Sequence, residues 1–188
     1  MKRPIVISLA LAGWFALISG CGRTTEVRFY SLRPLAPALD VAPSPLRAAP
    51  VRTVSLAPVK LAGYLRRPQL VRRTAPYQLT YLEFDRWAGP PEEEIGEALN
   101  DALATELGSS WRVVLNTGTS SPAAVPLEVE VLQMELNANG QACIKARWTC
   151  AGATHEAAIA HAGGPAEGQR ANLVELAHRM AWDVKLVQ

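Results

Sequence analysis

The stretch PPEEEIGEALNDALATELG, residues 90–108, decides how the rest of the chain is read. Pro90 and Pro91 stand where a helix needs no N–H partner, and Glu92, Glu93 and Glu94 place three carboxylates on the positive end of its dipole. Ile95, Leu99, Ala102, Leu103 and Leu107 recur at helical spacing, and Gly108 stops the run. The spacing predicts a helix over 91–107. Its apolar stripe needs a sheet or another helix to cover it. Upstream, residues 27–32, 51–61, 69–73 and 77–84 read as strands, the second running into a turn at Ala62-Gly63 and the last with Tyr77, Leu79 and Tyr81 on one face. Downstream, Trp111 to Leu115 is a strand and Thr117 to Ser121 a polar loop. Leu127, Val129 and Val131 alternate with Glu128 and Glu130, and 142–151 and 154–161 continue as a meander with turns at Asn139-Gly140 and Gly152. Ala166 to Val187 carries Leu173, Leu176, Ala177, Met180 and Val184 on one face of a second long helix. The expected fold class is α/β: a mixed sheet of about six to eight strands packed with two long amphipathic helices in a single domain.

Composition agrees, since 188 residues with 49% apolar and 19% charged suit one globular core. There are 19 Lys and Arg against 17 Asp and Glu, and loss of Lys2 and Arg3 with a leader leaves the two signs balanced. A neutral surface has no general attraction for phosphate polymers, so nucleic acid is not an expected partner. Charge is nevertheless uneven: residues 21–86 hold eleven basic and four acidic groups, and 87–188 hold six and thirteen. Either the two halves fold into complementary surfaces, or basic and acidic poles face different neighbours, anionic lipid and a protein among them. Head-to-tail association of copies is also compatible with it.

At the start, Met1-Lys2-Arg3 precedes an apolar run from Pro4 to Ile18, about 15 residues and short of the roughly 20 that a spanning helix needs. Ile18-Ser19-Gly20-Cys21 then resembles the bacterial lipobox, in which the cysteine sulfur receives a diacylglycerol, the chain is cut before it, and the new amine is acylated. The expected organisation is a signal peptide over 1–20, a lipid anchor and short tether over 21–26, and a domain over 27–188. Two or three acyl chains, at about 0.8 kcal/mol per buried methylene, hold such a domain firmly to a bilayer. Gly22, where by resemblance to enterobacterial lipoproteins an Asp favours inner-membrane retention, points to the outer membrane. The Pro-rich loop 33–50 has prolines at 34, 37, 43, 45 and 50, and neither pairs in a sheet nor sustains a helix. It is a spacer, or a loop that returns the chain to pair beside the 27–32 strand.

Motifs of catalysis are missing. There is no H-E-x-x-H, G-x-S-x-G, P-loop or G-x-G-x-x-G. His155 and His161 share parity on one strand but sit about 20 Å apart at roughly 3.3 Å per residue, too far to share a metal. Cys143 and Cys150 have opposite parity and Cα atoms about 23 Å apart, where a disulfide needs about 7 Å or less. They are expected as buried thiols. Glu92 to Glu94 serve the helix dipole. No catalytic residue, metal or cofactor is expected beyond the diacylglycerol and N-acyl chain on Cys21.

Arg66, Arg67, Arg72 and Arg73 straddle Pro68-Gln69-Leu70-Val71 beside Tyr64 and Leu65. Guanidinium groups suit bidentate recognition of carboxylate or phosphate, and edge arginines equally discourage strand aggregation. Pro58-Val59-Lys60-Leu61, Tyr64-Leu65-Arg66-Arg67-Pro68-Gln69-Leu70-Val71-Arg72-Arg73 and Phe84-Asp85-Arg86-Trp87-Ala88-Gly89-Pro90, with the helix that follows and Phe29-Tyr30-Ser31-Leu32 ahead, resemble the ABC-type transport auxiliary lipoproteins of the PqiC type. The resemblance covers the mature chain to about residue 115 and continues only as pattern. Gly89 replaces the family's usual acidic residue before the proline, and Ala62-Gly63 stands where the family commonly has proline. The resemblance implies a non-catalytic, lipid-anchored accessory on the periplasmic face of the outer membrane. Its implied partners are an MCE-domain periplasmic protein and inner-membrane transporter components that move lipid and guard envelope integrity, with docking alone or as a homo-oligomer. Tyr64, Leu65, Arg66, Pro68, Gln69, Arg72, Arg86 and Trp87 are the motif residues, and Tyr64, Arg66, Arg72, Arg86 and Trp87 are the candidates for partner binding. A structural envelope lipoprotein without a transport role, or a small secreted hydrolase, is the alternative.

Overall fold

The computed structural model describes residues 25–34, 52–116 and 123–187. In chain order the elements are β1 Arg28–Tyr30, β2 Arg52–Leu56, β3 Lys60–Leu61, a 3-10 turn Gly63–Leu65, β4 Gln69–Ala75, β5 Gln78–Trp87, α1 Pro91–Leu107, β6 Trp111–Leu115, β7 Val125–Leu136, β8 Ala142–Cys150, β9 Ala153–His161 and α2 Pro165–Leu186. Cys21, the signal segment, nearly all of the Pro-rich stretch and the polar loop at 117–121 lie outside the described residues.

The strands form one mixed sheet organised on β7. Along one side of β7 the chain runs parallel to it in three pieces: β2 with Val54 opposite Val125, β3 with Leu61 opposite Val131, and β4 with Arg72 opposite Leu136. Along its other side β8 is antiparallel from end to end, and β9 extends the hairpin. β6 flanks β2, while β5 pairs with β4 and carries β1 at its outer edge.

The expected mixed α/β domain with two long helices is what folds, at nine strands among the described residues rather than six to eight. The additional strand arises at Pro58. Without an N–H it cannot continue the ladder, so the run 51–61 divides into β2 and β3, and Ala57 and Ala62 donate to Leu127 O (2.9 Å) and Val131 O (3.0 Å) on either side of the break. Tyr77 does not share a face with Leu79 and Tyr81: it lies fully exposed in the β4–β5 turn, while the other two pack on the core. The strand after the Pro-rich stretch does not pair beside β1 either. β1 joins β5, with Phe29 opposite Arg86 and Tyr30 opposite Trp87.

Both helices cover the same face, packing on each other, with α2 on β8 and β9 and α1 on β6. Every second residue of β8, from Ala142 to Cys150, is buried beneath them. Leu99 and Leu103 of α1 meet Leu173, Leu176 and Met180 of α2 above Val54, Leu56, Leu127 and Val129, all in one core. Each such side chain contributes about 1.5–3 kcal/mol on full burial. On the other face, Lys145 and Arg147 hold Glu156 at 2.8 and 3.0 Å, and Lys60 meets Glu128 at 3.2 Å. Hydrogen bonds from Lys145 and Arg147 keep the Glu156 carboxyl below its ordinary pKa. This face is a solvated lattice of ion pairs, each of small energetic weight.

Candidate docking surface

Strand β4 and the 3-10 turn before it carry the arginine segment, and strand alternation and packing divide its members. Leu65, Leu70 and Val71 point inward and are buried. Arg73 turns onto Glu135 of β7: Nε and Nη2 both donate to its carboxylate, the latter at 3.0 Å, and Nη1 donates to Pro76 O at 2.9 Å. Tyr64 completes this group, its hydroxyl 3.3 Å from Glu135 Oε2 and 3.4 Å from Leu132 O. Burial first, and the Glu135 charge second, push the Tyr64 phenol up to about 12. Glu135 is itself buried, so the bidentate arginine and the phenol satisfy a carboxylate that water does not reach.

The outer members are placed differently. Arg66 extends into solvent with 65% of its side chain exposed, and its nearest acid is Glu92 at 3.9 Å. Arg67 lies over the Tyr81 ring, 4.9 Å from its centre. Arg72 is half-buried, with an Nε that has no hydrogen-bond partner among the described residues. Arg86 is half-buried and donates from Nε to Glu83 O at 3.3 Å. Trp87 is a core residue, its backbone N–H donating to Pro68 O at 2.7 Å. The five candidates therefore separate: Tyr64 and Trp87 are packed into the fold, whereas Arg66 is exposed and Arg72 and Arg86 are half-buried.

Helix α1 uses its leading carboxylates structurally. Glu94 accepts from Ser31 Oγ (3.0 Å) and Leu32 N (3.1 Å), and Glu97 and Asp101 bind Arg33 at 2.8 and 3.1 Å. These bonds tie the segment after β1 to the helix. Part of the uneven charge is met within the domain: Arg33, Lys60 and Arg73 of the basic half face acids of the acidic half, and Arg66 stands 3.9 Å from Glu92.

Two arrangements carried no sequence signal. On α2, buried Gln169 and Asn172 donate to Glu135 O (3.1 Å) and Ala142 O (3.0 Å), and His161 Nδ1 meets Asn172 Oδ1 at 2.8 Å. They lock the helix to the ends of β7, β8 and β9. Further along, an open cleft of about 360 Å³ is lined by Trp148, His155, Trp182 and Asp183 with neighbouring polar side chains. Trp148 Nε1 donates to Asp183 Oδ2 at 2.8 Å, and the His155 ring stacks on Trp148 at 5.6 Å. Only the joining of β8 to β9 and α2 brings these four together. The carboxylate serves the indole, and none of the described residues lining the cleft carries a hydroxyl or thiol.

Cys143 and Cys150 are free thiols, half-buried and buried, on opposite faces of β8 as their spacing predicts, and burial pushes both pKa values up. Among the described residues no three His, Cys, Asp or Glu side chains are grouped so as to hold a metal.

Comparison with known proteins places this architecture. The family model described as "ABC-type transport auxiliary lipoprotein component" matches residues 30–184. No curated protein matches the chain. Among solved structures, the chain is similar to the crystal structure of an uncharacterized protein, at 16% identity and a TM-score of 0.60, covering 87% of this chain and 100% of the other. It is also similar to a Xanthomonas campestris protein of the DUF330 family, at 17% identity and a TM-score of 0.57, covering 84% and 95%. At these identities the two structures speak for the fold alone.

Proposed function

Because the chain belongs to the ABC-type transport auxiliary lipoprotein component family, we propose that it is a non-catalytic, lipid-anchored accessory of an envelope lipid transporter of the PqiC kind. Its site of action on this reading is the periplasmic face of the outer membrane, where acyl chains on Cys21 hold it. Its partners are an MCE-domain periplasmic protein and, through it, the inner-membrane permease and ATPase. The role is positional: the anchor fixes one end of the domain and the domain offers a surface to the partner's periplasmic conduit.

The observation that carries the partner assignment is the openness of Arg66, in a motif whose Tyr64, Leu65 and Trp87 are committed to the fold. An exposed guanidinium with one acid at 3.9 Å is free to trade water for a partner carboxylate. Arg72, half-buried on the neighbouring strand β4, is the second contributor. The test is pull-down of the MCE-domain protein with Arg66→Ala and Arg72→Ala combined. Interface arginines commonly carry about 1–2 kcal/mol each, so recovery should fall by roughly tenfold or more while the melting temperature holds. Unchanged recovery would remove these arginines from the interface.

A further inference from the structure

β1 is the outer strand of its side of the sheet, and its exposed residues are unusual for an edge. Phe29 is 66% exposed, Val27 just before it is 37% exposed, and Phe84 of β5 is 38% exposed. Asp85 and Trp87 are buried, so Phe84 and Arg86 alternate to the outside, and Phe29 stands in register with Arg86. Edge strands ordinarily blunt themselves with outward charge. Here Arg28 turns to the opposite face and binds Asp85 at 2.7 Å, and two phenyl rings are left exposed on the face of Arg86.

Chain length says what these rings face. Phe29 lies eight positions after Cys21, and at about 3.3–3.6 Å per residue a fully extended chain reaches at most roughly 29 Å. A domain of this size is roughly 40 Å across. The tether is shorter than the domain is wide, so the β1 edge, which bears the exposed rings, is also the edge held closest to the anchor.

Resting on the reading that Cys21 is lipidated, we propose that Phe29 and Phe84, flanked by Arg86, form a docking edge that inserts at the headgroup level of the bilayer carrying the anchor. Aromatic rings settle at that depth, and an arginine beside them meets lipid phosphate. The domain thereby contacts lipid directly and stands in a defined orientation.

The test uses lipidated full-length protein in phosphatidylethanolamine–phosphatidylglycerol vesicles whose acyl chains are brominated near the headgroup. Phe29→Trp and Phe84→Trp are conservative, and a wild-type melting temperature verifies that each folds. The expected result is that the added tryptophan emits blue-shifted and is quenched by bromine in both variants, whereas Leu186→Trp adds emission that is not quenched. Vesicle flotation of the same samples reports the anchor separately. Flotation with no quenching at positions 29 and 84 would overturn the docking edge, including the case in which a protein partner covers those rings, while leaving the anchor standing. Absence of flotation would overturn the anchor and the docking edge with it.

Discussion

At the scale of single residues, the motif segment is a division of labour that its spelling does not reveal. Four arginines in eight positions look alike in sequence. One closes on a buried carboxylate, one lies over a ring, one is half-buried and one is in solvent. Glu135, more than sixty residues away, makes the difference, and no local pattern announces it. Tyr64 gives this group a measurable signature. Its phenol is raised to about 12, by burial and then by the Glu135 charge, so the folded state keeps a proton that the unfolded chain releases near 10. The stabilisation is complete below pH 10 and is lost as pH rises toward 12. The unfolding free energy from urea titrations should therefore fall between pH 9 and pH 11 by on the order of 1 kcal/mol, after allowing for the half-exposed ring, and Tyr64→Phe should flatten that slope. An equal slope in the variant would place the titration elsewhere.

At the scale of elements, the two glycines inside the helices look equivalent in sequence and are not. A Cβ on Gly96 of α1 would meet only Val59 Cγ2, at 3.8 Å, an ordinary contact. A Cβ on Gly168 of α2 would lie 2.7 Å from Ala142 Cβ and 3.3 Å from His161 O. Alanine is intrinsically better in a helix by about 1 kcal/mol, and overpacking costs about 1–3 kcal/mol. Gly96→Ala should accordingly raise the melting temperature slightly. Gly168→Ala should lower it, because α2 must lift from β8 and disturb the Gln169 and Asn172 bonds beneath it. Thermal melts that moved both variants in the same direction would contradict this packing. The bounds of α1, β6, β8 and β9 were legible in the sequence to within a residue or so, since caps, period and turn residues are local. β7 was only half legible: Gln133 to Leu136 become strand because β4 and β8 pair with them.

At the scale of the whole molecule, the parallel run of β2, β3 and β4 along β7 brings the basic half of the chain onto the acidic half. Of the readings open for the uneven charge, complementary surfaces folded together is the one these ion pairs favour. On the proposed reading, firm membrane attachment rests on Cys21. Cys21→Ser should move the protein from the membrane fraction to the soluble one, and mass spectrometry of the native chain should find its amino terminus acylated at Cys21. Retention of the serine variant in the membrane fraction would refute the anchor. The cleft at Trp148 and Trp182 and the docking edge at Phe29 and Phe84 both arise at this scale, from strands and helices remote in sequence.

The sequence by itself determined the two helices and the place of most strands, and that the chain resembles a transport auxiliary lipoprotein, because periodicity, capping and short motifs are properties of neighbouring residues. Strand order, the burial of Glu135 under Arg73 and Tyr64, the commitment of Trp87 to the core and the exposure of Phe29 were decided only by the tertiary structure. Each depends on which distant strand lies alongside, and pairing across dozens of residues is settled by the packing of the whole sheet against its two helices.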